Sequence, residues 1–145
     1  MSIDVLGIDH IGIAVKDLPQ AIKTYRDTLG LRIVGREKLD SRGLEVCFID
    51  AGQSRLELLG ETRTPTEISK FLETRGEGIH HICLRVGDIE DAVQRLVTQG
   101  AQVIGEGIQE GAHRSRVAFI HPKSTHGVLL ELVEQTHHQE QDDES

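Results

Sequence analysis

Ile8-Asp9-His10-Ile11-Gly12-Ile13-Ala14-Val15 returns 71 residues later as Ile79-His80-His81-Ile82-Cys83-Leu84-Arg85-Val86, with a histidine at the same strand position in each copy. Near the end of each half a carboxylate interrupts an apolar strand: Glu57 in Leu56-Glu57-Leu58-Leu59 and Glu131 in Leu129-Leu130-Glu131-Leu132. A repeat at this spacing is one supersecondary unit used twice, and equivalent residues are expected to meet where the two units face each other. Two His/Glu pairs on a duplicated scaffold therefore point to a metal site at a pseudo-two-fold axis.

Outward from the repeat, each half reads as strand, helix and three strands. Asp17 is placed to cap a first helix with Pro19 in its opening turn, an apolar stripe of Ala21, Ile22, Tyr25 and Leu29, and Gly30 as its stop. Asp88 caps the equivalent helix, with Ala92, Val93 and Leu96 as stripe and Gly100 as stop. The following strands are expected at Leu31–Val34, Leu44–Ile49 and Arg55–Leu59, and again at Gln102–Ile104, Val117–Ile120 and Val128–Val133. The fold class is α+β: two β-α-β-β-β modules whose curved mixed sheets form a metal-centred cleft. The modules occupy residues 1–60 and 79–135. A linker helix over 61–78 starts near Pro65 and carries Ile68, Phe71 and Leu72 on one face, and residues 136–145 form a disordered acidic tail. Gly105–Ser115 reads as a polar, Gly-rich loop, either a plain surface connection or one that covers substrate.

Successive side chains of a strand point to opposite faces. If Ile11, Ile13 and Val15 pack on the helix, His10, Gly12 and Ala14 line the other face, where the small residues leave room for a ligand. Leu130 and Leu132 then face the helix and Glu131 the opposite side. With Val46 and Phe48 packed inward, Glu45, Cys47 and Ile49 are expected on the face of the site, which adds Glu45 to the candidates.

The donor set His10, Glu57, His81 and Glu131 offers two imidazoles, two carboxylates and no sulfur. That suits a divalent ion such as Co, Zn, Ni or Mn and disfavours clusters and soft ions. On an octahedral ion, four protein ligands leave two positions for a bidentate oxygen substrate, so the ion would stabilise charge that develops on a carbonyl oxygen when an adjacent C–H proton leaves. His80, His113, His121 and His126 have no partner in the other copy and are assigned surface or hydrogen-bonding roles, and His137-His138 in the tail is read as inert.

The chain of 145 residues suffices for one domain or two small modules, and its net charge of -8 argues against nucleic acid or an anionic membrane as partner. Cys47 and Cys83 sit in apolar runs without a CxxC pair and read as small buried hydrophobes. With no signal peptide, transmembrane run or targeting ending, the expected location is cytoplasmic.

At these residues the chain resembles the vicinal oxygen chelate superfamily (glyoxalase/bleomycin resistance/dioxygenase), and within it the methylmalonyl-CoA epimerase family. The resemblance runs from about Val5 to Glu134 on Asp9-His10-Ile11-Gly12-Ile13-Ala14-Val15, on Gly78-Ile79-His80-His81-Ile82-Cys83, and on Gly111-Ala112-His113, Phe119-Ile120-His121-Pro122-Lys123 and Gly127-Val128-Leu129-Leu130-Glu131-Leu132. It implies metal ligands at His10, His81 and Glu131, with the remaining ligand at Glu57. It also implies a carboxylate on each side of the substrate's C2, for which Glu131 and Glu45 are the candidates. The implied reaction is epimerisation at C2 of methylmalonyl-CoA through an enolate, with an acyl-CoA substrate, no redox cofactor and a homodimeric assembly. The alternatives are a glyoxalase I-type lyase acting on a glutathione hemithioacetal, whose usual Asp-Pro-(Asp/Asn)-Gly turn is replaced here by His121-Pro122-Lys123, and a non-catalytic binding protein of the same fold. Binding proteins of that kind stack flat ligands on aromatics, of which this chain has one Tyr, three Phe and no Trp. Extradiol dioxygenases use two His and one carboxylate and leave Glu57 without a role.

Overall fold

The structure, a computed structural model, describes residues 3–134. The α+β reading holds: three α-helices and eight strands lie among the described residues. They fall into two compact units. One runs from His10 to His81; the other joins the described residues up to Asp9 with those from Ile82 onward. The divisions fall inside β1 (Val5–Ala14) and β5 (Gly78–Val86), immediately before His10 and immediately after His81.

In the His10–His81 unit the strand order is β2 (Ile33–Leu39), β3 (Leu44–Ala51), β4 (Ser54–Glu61) and β1. β1 and β4 run parallel with His10 beside Arg55 and Gly12 beside Glu57, and β3 and β4 are antiparallel with Phe48 opposite Glu57. One face of this sheet buries Cys47, Ile49 and Leu58 with Ile13 and Leu56 against Leu18 and Ile22 of α1 (Leu18–Lys23). Asp17 caps α1 as expected, accepting from the Gln20 N–H at 3.0 Å. The helix then widens into a π-turn over Thr24–Thr28, which carries Leu29 out of the expected stripe to 56% exposure before Gly30 turns with φ 73°. β2 is longer than expected because it is an edge strand, where Arg36, Glu37 and Lys38 are tolerated. The helix between the repeats, α2 (Ser69–Arg75), begins after Pro65, and Ile68 is fully buried just ahead of it.

In the other unit the order is β5, β8 (Leu130–Glu134), β7 (Arg116–Ile120) and β6 (Gln109–Glu110), with α3 (Ile89–Thr98) capped by Asp88. Val86, Ile89, Ala92, Ala118 and Leu132 form its core under α3. The internal register repeats that of the first unit. Glu131 lies between Cys83 of parallel β5 and Phe119 of antiparallel β7, as Glu57 lies between Gly12 and Phe48. The strand expected at Gln102–Ile104 is reduced to a single bridge from Val103 to Ile120. Gly105–Ser115 is not a plain loop, since it contains β6 and a tight turn in which His113 and Arg114 take φ 55° and 58°. The tail expectation for 136–145 lies outside the described residues.

Candidate metal centre

β1 and β5 each bring a histidine to a position that is 6% exposed, and in the His10–His81 unit these two rings meet. The Nε2 atoms of His10 and His81 are 3.1 Å apart, with the rings edge to face at 88°. Backbone geometry makes room for this. A Cβ on Gly12 would stand 2.2 Å from Cε1 and 2.7 Å from Nε2 of His81, so the imidazole occupies space that only glycine leaves.

The outer nitrogens are held as well. Nδ1 of His10 lies 3.1 Å from Oε2 of Glu57, which is 4% exposed and also accepts from Arg55 at 3.3 Å. The Arg55 guanidinium rests 5.1 Å from the Phe48 ring centroid. Glu57 thus meets His10 through the nitrogen turned away from His81. Nδ1 of His81 lies 2.9 Å from Nδ1 of His80.

An ion fits between the two Nε2 atoms. Imidazole binds zinc-like ions at about 2.0–2.1 Å, so two rings on adjacent octahedral positions have nitrogens about 2.9 Å apart, and on a tetrahedral ion about 3.4 Å. The observed 3.1 Å lies between, and both histidines belong to a group of buried donors with the spacing of an ion site. If Glu57 and His80 accept from the two Nδ1–H groups, both Nε2 lone pairs converge, and a cation satisfies them together. Glu131, 6% exposed, occupies the equivalent register position on β8.

The expectation for Glu45 is corrected. Directly opposed residues of an antiparallel pair share a face, and Glu45 opposes Gly60 while Phe48 opposes Glu57. Val46 and Phe48 therefore share the face of Glu57 and His10, and Glu45, Cys47 and Ile49 share the face of α1. A Cβ on Gly60 would meet Leu18 of α1 at 2.8 Å, which confirms the side. Glu45 is bound there by Arg36 at 2.8 Å. Cys47 is fully buried on that face, and desolvation pushes its thiol pKa up, as an inert core cysteine requires.

The remaining histidines behave as expected of hydrogen-bonding and surface residues. His121 Nδ1 accepts from the Lys123 N–H at 3.0 Å and caps a turn, and His113 and His126 occupy turns with left-handed backbone. His137-His138 lies outside the described residues. Sequence reasoning overlooked three contacts: Arg55 on Glu57, His80 on His81, and the pair of buried Asp9 with Arg85 at 3.3 Å. The adjacency of His80 to His81 and the polar Asp9 within an apolar strand were the available signals.

A duplicated scaffold that sets Glu57 and Glu131 at equivalent register positions defines a class, and the sequence pattern of the glyoxalase/bleomycin resistance protein/dioxygenase superfamily matches residues 9–119. The chain belongs to that superfamily. Among its relatives, the ethylmalonyl-CoA/methylmalonyl-CoA epimerase of Cereibacter sphaeroides is 41% identical over 127 residues, covering 86% of this chain and 95% of the relative. The mitochondrial methylmalonyl-CoA epimerase of Homo sapiens is 36% identical over 126 residues, 86% of this chain and 72% of the relative. The crystal structure of methylmalonyl-CoA epimerase from Mycobacterium tuberculosis superposes with a TM-score of 0.87 at 37% identity, covering 97% of this chain and 95% of that one.

Proposed function

We infer that the chain is a methylmalonyl-CoA epimerase, interconverting the two C2 epimers of its acyl-CoA substrate. The observation that carries this beyond family membership is the buried His10–His81 pair with converging Nε2 atoms. We propose His10, His81 and Glu131 as ligands of one divalent ion (Co, Zn, Ni or Mn), supported by their burial and by the equivalence of the two histidines in the repeats. Glu57, expected as the fourth ligand, instead meets His10 at the outer Nδ1 and is assigned to holding that ring. Such an ion supplies Lewis acidity toward the thioester and carboxylate oxygens that flank C2.

The chain's own residues supply the rest. His10 and His81 hold their rings fixed through the outer nitrogens, and Arg55 brings positive charge beside Glu57. Glu131 takes the C2 proton, leaving the electron pair delocalised as an enolate, and an acid on the opposite face returns a proton to C2. Glu45 is left out of this pair, since its side chain belongs with Arg36 and the α1 face. General acid–base placement contributes typically about 10²–10⁴-fold. The homodimer implied by the resemblance is supported by Val5, Leu6 and Ile8, consecutive or near neighbours on β1 that stay 44–47% exposed. No helix among the described residues is long and apolar enough to cross a membrane. We propose a cytoplasmic location, with which Cys47 and Cys83, both buried as thiols in apolar strands, are consistent.

The test is exchange of the C2 proton of methylmalonyl-CoA with solvent deuterium, followed by NMR with and without added metal, beside a glutathione hemithioacetal control. Metal-dependent exchange and epimerisation are expected. Turnover of the hemithioacetal alone would transfer the reading to the glyoxalase I class. Stoichiometric metal should be retained after dialysis and lost when His10 and His81 are both replaced by Ala.

A further inference from the structure

We propose that His80 is a positioning residue that holds His81 in the tautomer and orientation needed to bind the ion, with α2 as its support. The proposal rests on the metal reading of His10 and His81 given above.

A neutral imidazole has one N–H and one lone pair, and which nitrogen carries the proton is set by what the other nitrogen meets. For His81 to offer Nε2 toward His10 and an ion, its proton must sit on Nδ1. That Nδ1–H needs an acceptor, and Nδ1 of His80 stands 2.9 Å away. His80 then carries its own proton on Nε2. His10 has the matching arrangement with Glu57 at its Nδ1, 3.1 Å away. The two histidines are thus served by different acceptors, a carboxylate on β4 for one and a neighbouring imidazole for the other.

His80 is itself held. Its ring stands edge to face at 83° on Phe71, with centroids 5.2 Å apart, and the guanidinium of Arg75 lies 5.9 Å from the other ring's centroid. Both residues belong to α2, so the short helix between the repeats gains a function: it braces the ring that orients a ligand. His80 and His81 also stand edge to face, at 89°, which leaves the Nδ1 atoms as the point of contact. Outer-sphere partners of this kind typically change metal affinity by roughly 10- to 100-fold when removed.

Three measurements on the full chain test this. In the zinc-loaded wild type, long-range ¹⁵N–¹H NMR should show His80 protonated on Nε2, which leaves its Nδ1 to accept from His81; an Nδ1–H tautomer of His80 would overturn the proposal without any variant being made. Zinc affinity, by chelator competition, should fall roughly 10- to 100-fold in His80→Phe, which keeps a ring against Phe71 and has no nitrogen. His80→Asn, which restores a polar acceptor near the position of Nδ1, should recover most of that loss. A His80→Phe affinity within about two-fold of wild type, or a His80→Asn variant as weak as His80→Phe, would show that His80 is only a packing residue. If wild type binds zinc and His81→Ala abolishes binding while His80→Phe does not, only this proposal fails. If wild type binds no zinc, the metal reading fails and this one with it.

Discussion

Gly12 carries no functional group, yet it makes room for the proposed ligand pair His10 and His81. A single methyl there would sit 2.2 Å from Cε1 of His81, far inside contact distance, and Gly12 has no left-handed backbone to complicate the substitution. Gly12→Ala should therefore leave the strand intact, push the His81 ring away from His10 and weaken zinc by roughly ten-fold or more, the scale set by misplaced ligands. Far-UV circular dichroism with chelator competition measures both halves of that statement; unchanged zinc affinity would mean the ring has another place to go. Glu45 makes the opposite case. Its partner is Arg36 on the α1 face, so Glu45→Gln should epimerise at close to the wild-type rate and lose less than about 1 kcal/mol of stability, as half-exposed ion pairs do. A collapse of activity in this variant, with metal retained, would restore Glu45 as an acid or base and refute its assignment to the helix side.

At the scale of elements, the contrast between β1 and β3 explains why one face was legible and the other was not. β1 alternates apolar residues with His10, Gly12 and Ala14, so its phase is written in the sequence. In β3, Val46, Cys47, Phe48 and Ile49 are all buried, because both faces of the strand are covered. A strand buried on both sides has no polar alternation to read, and only its register with β4 decides which residues join Glu57. The helices were legible for a local reason: Asp17 and Asp88 each close an opening turn by accepting a backbone N–H three residues on. Loss of that bond should cost roughly 0.5–2 kcal/mol. Asp17→Ala and Asp88→Ala are each expected to lower the urea midpoint without changing the slope of the transition, and a shift in slope would point to a change in the unfolded or native ensemble instead. The π-turn after α1 and the truncated Gln102–Ile104 strand left no such local mark. The first arises from an extra residue per turn and the second from pairing at one position only.

At the scale of the molecule, the repeat in the sequence and the compact units in space divide the chain differently. The repeat marks modules that begin at the two histidine strands. The compact units instead keep His80 and His81 with residues 10–79, and pair Asp9 with Arg85 in the other unit. Sequence similarity reports a duplicated motif, whereas compactness follows strand pairing, so the second could not be read from the first. One consequence concerns stability. Among the described residues the His10–His81 unit places two buried imidazoles nitrogen to nitrogen at 3.1 Å, a spacing that two ligands of one proposed ion would also have. A ligand bound only by the folded chain adds RT ln(1 + [L]/Kd), about 2.7 kcal/mol at a free concentration of 100 Kd. For a chain of this length that corresponds to a rise in Tm of roughly 5–11 °C. Thermal unfolding with zinc and with excess chelator should show that difference in wild type and lose it in the His10→Ala, His81→Ala double variant. The double variant's metal-free Tm should lie below that of the chelated wild type, because the two alanines leave a cavity and take from buried Glu57 its His10 partner. A wild-type Tm indifferent to zinc would mean that the paired histidines hold each other and not an ion, and the epimerase reading would then need a source of charge stabilisation other than a metal.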